Sequence, residues 1–596
     1  MREPEAGHEV AGWFPSSEHQ LFSWLHLPEG RTAKAGVVIC SPLLIEYYAA
    51  HATLRRLAVE LAERGVAAMR FDYRGMGDST GHPEELGDIS CWVDDITAGV
   101  RRLRESGVDF VAVVGMRIGA NLVASDANAC GADAVVLWDP FASGRAFIRH
   151  STFFQRSAIE IEAGKSKPPE RSSPDSDPEQ LSGSMGSAPL GFAFPDSFLE
   201  SFQNLGSPST TSRPTLVLTR PGRSLRTTGA SDAAGVEIAV AEGQRELLET
   251  ELHNAKIPES ALTHVRDWLC SLAETRPSNV VRPFLRPTLE VDGDDGRFRE
   301  QVMRIGDVGG LGLFAIRTDP WSSPLSSPSD LDRVGPSDLD SDSLTVLFFN
   351  SGMQHHVGPN RLYVDLSRRL VSDGISSIRL DFSGLGDSPA RPPHRPALVY
   401  SPGILDDIEE VMKHTGTGPK AVVGLCSGGY HALEAGYRHS LRGVLAIHSP
   451  LIMWHMPKEP AFISPDRAIW VPDRPWLVAA ERFWLGRAIT WRIPGRGWWL
   501  LDRLGIQTDV SAGVRRSIVN GANVVMIAEN GYLKRTRAWP MTHQRRGVPK
   551  VIKSDADHSL LDATGRATVT AQALEVVTGW VDHSPTTVPT LAPVHA

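Results

Sequence analysis

The sequence predicts an α/β protein built from one domain used twice, and two observations carry that prediction. Short apolar strands alternate with amphipathic helical stretches, the pattern of a mostly parallel sheet with right-handed crossovers. A set of motifs also returns at a constant spacing. Arg70-Phe71-Asp72-Tyr73-Arg74-Gly75-Met76-Gly77-Asp78-Ser79 comes back as Arg379-Leu380-Asp381-Phe382-Ser383-Gly384-Leu385-Gly386-Asp387-Ser388, 309 positions on (379 − 70). Val113-Val114-Gly115-Met116-Arg117-Ile118-Gly119 returns at the same interval as Val422 to Gly428, and Gly65 as Gly374. Asp94-Asp95-Ile96 returns as Asp406-Asp407-Ile408, 312 positions on (406 − 94). Such a series marks a tandem duplication.

The elements follow in the same order in each copy. In the first, Gly36 to Cys40 reads as a strand and Leu54 to Arg64 as a helix closed by Gly65. Val66 to Phe71 is the next strand, Trp92 to Leu103 an amphipathic helix, and Phe110 to Val114 and Ala134 to Trp138 two further strands. In the second, the counterparts are Leu344 to Phe349, Tyr363 to Asp373, Ile375 to Leu380, Gly403 to His414, Ala421 to Val423 and Gly443 to Ile447. The domains are read as 10–275 and 290–583, joined by Ala273 to Pro287. Thr318 to Ser343 reads as a surface loop and 584–596 as a disordered, Pro- and Thr-rich tail.

Bulk properties narrow the function. A chain of 596 residues exceeds a single core, and a net charge of -9 argues against a general nucleic-acid binder. Five widely spread cysteines without CxxC spacing suit a reducing compartment and give no obvious zinc site. Met1 to Val10 is polar and acidic and does not read as a secretory signal. No uninterrupted apolar run approaches the ~20 residues of a membrane span. The expected location is cytoplasmic, and no metal or organic cofactor is indicated.

The chemistry centres on Val422-Val423-Gly424-Leu425-Cys426-Ser427-Gly428-Gly429-Tyr430, where an apolar strand runs through Gly-x-Cys-x-Gly into a helix. This is the form of a nucleophile elbow with Cys in place of Ser. The turn lifts the side chain clear of the sheet and puts the next N–H, that of Ser427, where an oxyanion would form. A glycine-rich turn with a buried structural cysteine is the plain alternative. With the Asp-x-x-Gly-x-Gly-Asp-Ser loop, this order of elements resembles the α/β-hydrolase fold, in particular its serine-aminopeptidase-like branch of esterases and thioesterases. The resemblance covers most of both copies. It implies a triad in the order nucleophile, acid, histidine.

Carried onto the second copy, the resemblance implies Cys426 as nucleophile and His558, in Asp555-Ala556-Asp557-His558-Ser559-Leu560-Leu561, as general base. After the strand Asn523 to Ile527, Glu529 is the candidate acid, with an ordinary surface glutamate as the alternative. The second oxyanion donor is expected from Asn350-Ser351-Gly352-Met353, as the N–H of Met353. In the first copy the elbow residue is Arg117, which cannot act as a nucleophile. Pro42 removes a donor from its oxyanion loop. Arg245 or His253 stands for the base, depending on the alignment. The first copy is therefore read as catalytically inactive. Arg117 there either binds an anion at the old site or plugs it.

Two insertions differ in kind. Residues 164–213 are rich in Ser, Pro, Gly and Asp and are expected to be mobile. Residues 451–501 interleave seven tryptophans with arginines. They read as a helical cap, as the roof of an acyl pocket, or as a basic aromatic face for an acidic carrier protein or a membrane surface. The expected function is a cysteine-dependent acyl hydrolase or acyltransferase for an ester or thioester, free or carrier-bound. The alternative is a non-catalytic scaffold or ligand-binding protein.

Overall fold

The computed structural model describes residues 9–581 except for 127–128, 163–190, 209–212, 223–234, 251, 294–295, 322–342, 392–398, 400–401, 450–451, 455–506, 510–517, 519–520 and 530–548. The chain divides into two compact units between Leu289 and Glu290, with Leu561–Ala563 assigned to the first. No helix among the described residues is long and apolar enough to cross a membrane.

The first unit holds an eight-stranded sheet. Its strands are β1 (Glu9–Ser16), β2 (His19–His26), β3 (Ala35–Cys40), β4 (Val66–Phe71), β5 (Val111–Met116), β6 (Ala134–Trp138), β7 (Thr215–Thr219) and β8 (Val236–Val240), in the order β1-β2-β4-β3-β5-β6-β7-β8. The pairs β1–β2 and β2–β4 are antiparallel, and every later pair is parallel. The second unit repeats this with β9 (Thr288–Gly293), β10 (Gly296–Ile305), β11 (Leu313–Pro320), β12 (Thr345–Phe349), β13 (Ser376–Leu380), β14 (Lys420–Leu425), β15 (Gly443–Ile447), β16 (Asn523–Glu529) and β17 (Lys550–Ser554). Their order is β9-β10-β11-β13-β12-β14-β15-β16-β17.

Alternation along the strands makes two cores in each unit. In the first, Val38, Met69 and Val113 face a helix α2 (Ser90–Glu105) through Trp92, Ile96 and Leu103. Val37, Ala68 and Val114 face the other way, onto α1 (Ile45–Ala62) and a late helix over Glu259–Ala273. In the second unit Leu347, Ile378 and Val422 meet the helix Pro402–His414, whereas Val346, Val423 and Leu445 meet the helices Leu362–Leu370 and Ala563–Thr578.

Three boundaries differ from the sequence reading. The antiparallel strands that open each sheet were not singled out, and the residues Thr318 to Pro320 lie in β11 rather than in a loop. Within the insertion expected to be mobile, the described residues 191–208 include a helix, Asp196–Gln203. Phe198 and Phe202 are fully buried there, their rings 4.9 and 6.3 Å from that of Trp92. Four phenylalanines in this stretch supply apolar surface that the composition of 164–213 as a whole conceals. The tail 584–596 lies outside the described residues, as does most of 451–501. Of the latter, Ile452–Trp454 pairs antiparallel with Gln507–Asp509.

The repeated Asp-x-x-Gly-x-Gly-Asp-Ser loop has a structural task in both units. The Asp381 carboxylate accepts from His356 N–H (2.6 Å) and Nδ1 (2.9 Å), Asn350 Nδ2 (3.0 Å) and Asp387 N–H (3.0 Å). A Cβ on Gly386 would fall 2.2 Å from Asp381 Oδ2, so only glycine lets the loop wrap the carboxylate. Ser388 Oγ donates to the Asp381 carbonyl and accepts from Phe314 N–H, fastening the loop to β11. Asp72, Gly77, Asp78 and Ser79 do the same in the first unit. Asp381→Ala strands four donors in a dry interior and is expected to cost about 3–5 kcal/mol. The urea midpoint of the second unit reads this, and a loss under about 1 kcal/mol would show that the carboxylate is not the loop's anchor.

Candidate active site

The elbow forms where β14 hands over to a helix at Ser427–Arg438. Cys426 lies between them at φ 53° and ψ −117°, a left-handed conformation that a non-glycine residue adopts only when its surroundings enforce it. Its N–H donates to Ile447 O on β15 (2.9 Å). Helix and strand approach so closely that a Cβ on Gly428 would lie 2.5 Å from Phe349 O, and one on Gly424 2.1 Å from the Gly428 carbonyl carbon. That is the physical content of Gly-x-Cys-x-Gly. Cys426 is half-buried, while Cys40 and Cys130 are buried.

The loop after β12 is tied to the elbow. Gly352 N–H donates to Ser427 Oγ (2.8 Å), which holds the segment carrying Met353 beside the helix N-terminus. Tyr363 braces the same junction from below. Its hydroxyl donates to Phe349 O (3.0 Å) and accepts from Leu425 N–H (2.9 Å), and burial pushes its phenol well above the ordinary range. Leu54 stands 309 positions earlier (363 − 54) and has no hydroxyl with which to make this brace in the first unit.

His558 lies on the loop after β17. Leu560 O on that loop accepts from Asn360 Nδ2 and Arg566 Nη1, both at 3.0 Å. The His558 carbonyl meets Nδ1 of His448 at 3.0 Å, and the two imidazoles lie 5.7 Å apart at 25°. Glu529 ends β16, opposite Ser554 in register. Its side chain lies outside the described residues. His448, directly after β15, was missed by sequence reasoning. Its signal was its place 309 positions after Asp139 (448 − 139), both immediately following the strand that pairs with the elbow strand.

The first unit keeps the elbow and changes what it holds. Arg117 has φ 58° and ψ −121°, and its N–H donates to Trp138 O at 2.8 Å. The side chain is 1 % exposed. Its Nε meets Glu46 Oε1 at 3.0 Å, and Nη1 meets Asp139 Oδ2 at 2.9 Å and Asp139 O at 3.1 Å. The guanidinium lies 3.8 Å over the Phe141 ring. The anions beside Arg117 are thus internal. Arg220 Nε also bonds Asp139 Oδ2 (2.5 Å), and its Nη1 pairs with Glu249. The matched registers Leu216↔Glu237 and Val525↔Lys550 place Arg220 opposite Glu529 and Arg245 opposite His558. All three positions of the implied triad are arginines in the first unit. His253 falls in a short 3-10 turn, with its side chain outside the described residues.

Strand order, crossovers and elbow together define the α/β-hydrolase fold, present twice in one chain. No family model matches the chain. It is 29% identical over 149 residues to the quorum-quenching protein AidA of Acinetobacter baumannii, covering 24% of this chain and 46% of that protein. The chain therefore spans less than half the length of that curated relative. Among solved structures it is similar to the proline iminopeptidase of Mycobacterium smegmatis (15% identity, 44% of this chain and 98% of that one, TM-score 0.28). It is also similar to an esterase of Pyrococcus furiosus (16% identity, 44% and 89%, TM-score 0.28).

The first unit's network makes its stability depend on pH. Burial pushes the Glu46 carboxyl up, but Arg117, with His150 and Arg220, pulls it further down, from the ordinary 4.5 to about 2. A folded-state pKa below the unfolded one means that the stabilisation is complete above about pH 4.5 and is lost as pH falls toward 2. Glu46→Gln should flatten that part of the first unit's stability profile. An equally steep loss in the variant would exclude Glu46 as its source.

Proposed function

We propose that the second unit is a cysteine-dependent acyl hydrolase or acyltransferase that works through an acyl-Cys426 intermediate. The observation that carries this reading is the left-handed Cys426 at a helix start, with the Met353 loop fastened beside it. In the proposed reaction His558 takes the thiol proton and the thiolate attacks an ester or thioester carbonyl. The N–H groups of Ser427 and Met353 receive the oxyanion. Collapse breaks the bond to the leaving alcohol or thiol, which leaves with the proton from His558. Water, or another nucleophile, gives its proton to His558 and attacks the acyl-Cys. That releases the product and returns the thiol. Glu529 is assigned to orient His558.

Sulfur at the nucleophile position favours thioesters, because thiolate-for-thiolate exchange is nearly balanced. The proposed substrate is a small acyl ester or thioester, free or on a carrier protein, met in the cytoplasm. The first unit, with Arg117, Arg220 and Arg245 at the corresponding positions, is assigned no acyl chemistry. Its Arg117 is assigned to fill the vacated site, in place of binding an external anion.

Intact-mass labelling with a short acyl thioester tests the reading. The wild type should gain one acyl group, Cys426→Ala should gain none, and His558→Ala should gain it at least 10²-fold more slowly. No adduct on the wild type, or one indifferent to Cys426, would move the second unit to a non-catalytic scaffold.

A further inference from the structure

We propose that His448 is a positioning residue of this site, holding the His558 loop in register with Cys426. The inference rests on the acyl-Cys426 reading and deepens it.

The backbone puts His448 beside the nucleophile. Ile447, the residue before it, accepts the Cys426 N–H, and the His448 N–H donates to Ile527 O at 2.8 Å. His448 has φ 45° and is 1 % exposed. Its counterpart Asp139 has φ 49°, and there the side chain reaches the elbow residue directly, 2.9 Å from Arg117 Nη1. In the first unit the side chain at this position thus meets the side chain at the elbow position. In the first unit that neighbour is a carboxylate neutralising an arginine. In the second unit the same backbone position carries an imidazole.

The imidazole is also engaged on the base. A carbonyl oxygen only accepts, so Nδ1 of His448 carries the proton it shares with His558 O at 3.0 Å. The two rings lie 5.7 Å apart at 25°. With Leu560 O held by Asn360 and Arg566, the loop is gripped at two carbonyls two residues apart. The backbone of His558 is thereby fixed from the strand that neighbours the elbow, which couples the position of the base to that of the nucleophile. A misplacement of about 1 Å in such a pair costs about 10²-fold in rate.

The test compares His448→Asn with His448→Ala. Asn keeps an N–H donor and tolerates a left-handed backbone; Ala has no donor. With the acyl thioester, His448→Ala should acylate about 10²-fold more slowly at saturating probe, with the half-saturating probe concentration unchanged. His448→Asn should recover most of the rate. Amide hydrogen exchange at 555–560 gives a second readout that needs no activity. Exchange should quicken in His448→Ala and return toward wild type in His448→Asn. Where thermal melting shows that the Ala variant does not fold, His448→Asp replaces it, since Asp has the shape of Asn, no amide donor, and a precedent at position 139. Wild-type acylation and exchange in His448→Ala would overturn the proposal, as would His448→Asn matching His448→Ala in both. A wild type that never acylates fails the acyl-Cys426 reading instead, and exchange still decides whether His448 holds the loop.

Discussion

Everything near the site depends on one backbone constraint, the left-handed residue between strand and helix at positions 117 and 426. To hold it, the helix start is pressed against the end of the neighbouring strand, closely enough that Gly428 can carry no Cβ. That pressure is borne by hydrogen bonds across three strands. The elbow N–H goes to the next strand, and the N–H of the residue after that strand goes to the one beyond. Parallel register, normally a matter of packing, here sets where a side chain points.

On this shared frame the two units solve different electrostatic problems. A thiol is small and carries no fixed charge, so Cys426 needs no built-in counter-charge to stay half-buried. A guanidinium at the same place is a permanent charge, and a dry interior admits it only with counter-charges. Glu46 and Asp139 supply them, and Asp139 in turn is shared with Arg220. A guanidinium at the elbow thus depends on a whole neighbourhood of charges.

Much of this was legible from residue order. The duplication, the central strands and the elbow are local or periodic signals, and their boundaries fall within a few residues of those observed. The two glycines of the elbow announce a close approach even before its partner is known. What could not be read is long-range pairing. Arg117 meets Glu46 and Asp139 across 71 and 22 positions. Tyr363 reaches Leu425 across 62, and His448 reaches His558 across 110. The role of Asp381 as an internal anchor was hidden for the same reason, because Asn350 and His356, which supply three of its four donors, lie 31 and 25 positions away. The opening antiparallel strands were missed because sequence carries no mark of the edge they extend.

The arginine network also limits what position 117 can become. Putting a cysteine at position 117 would take a main counter-ion from both the Glu46 and Asp139 carboxylates. That variant would be poorer in stability, and it would still lack the phenol brace that Leu54 cannot provide. An elbow cysteine in the first unit therefore calls for several substitutions made together. The buried charges thus act as a latch, closing this elbow to change by any single substitution.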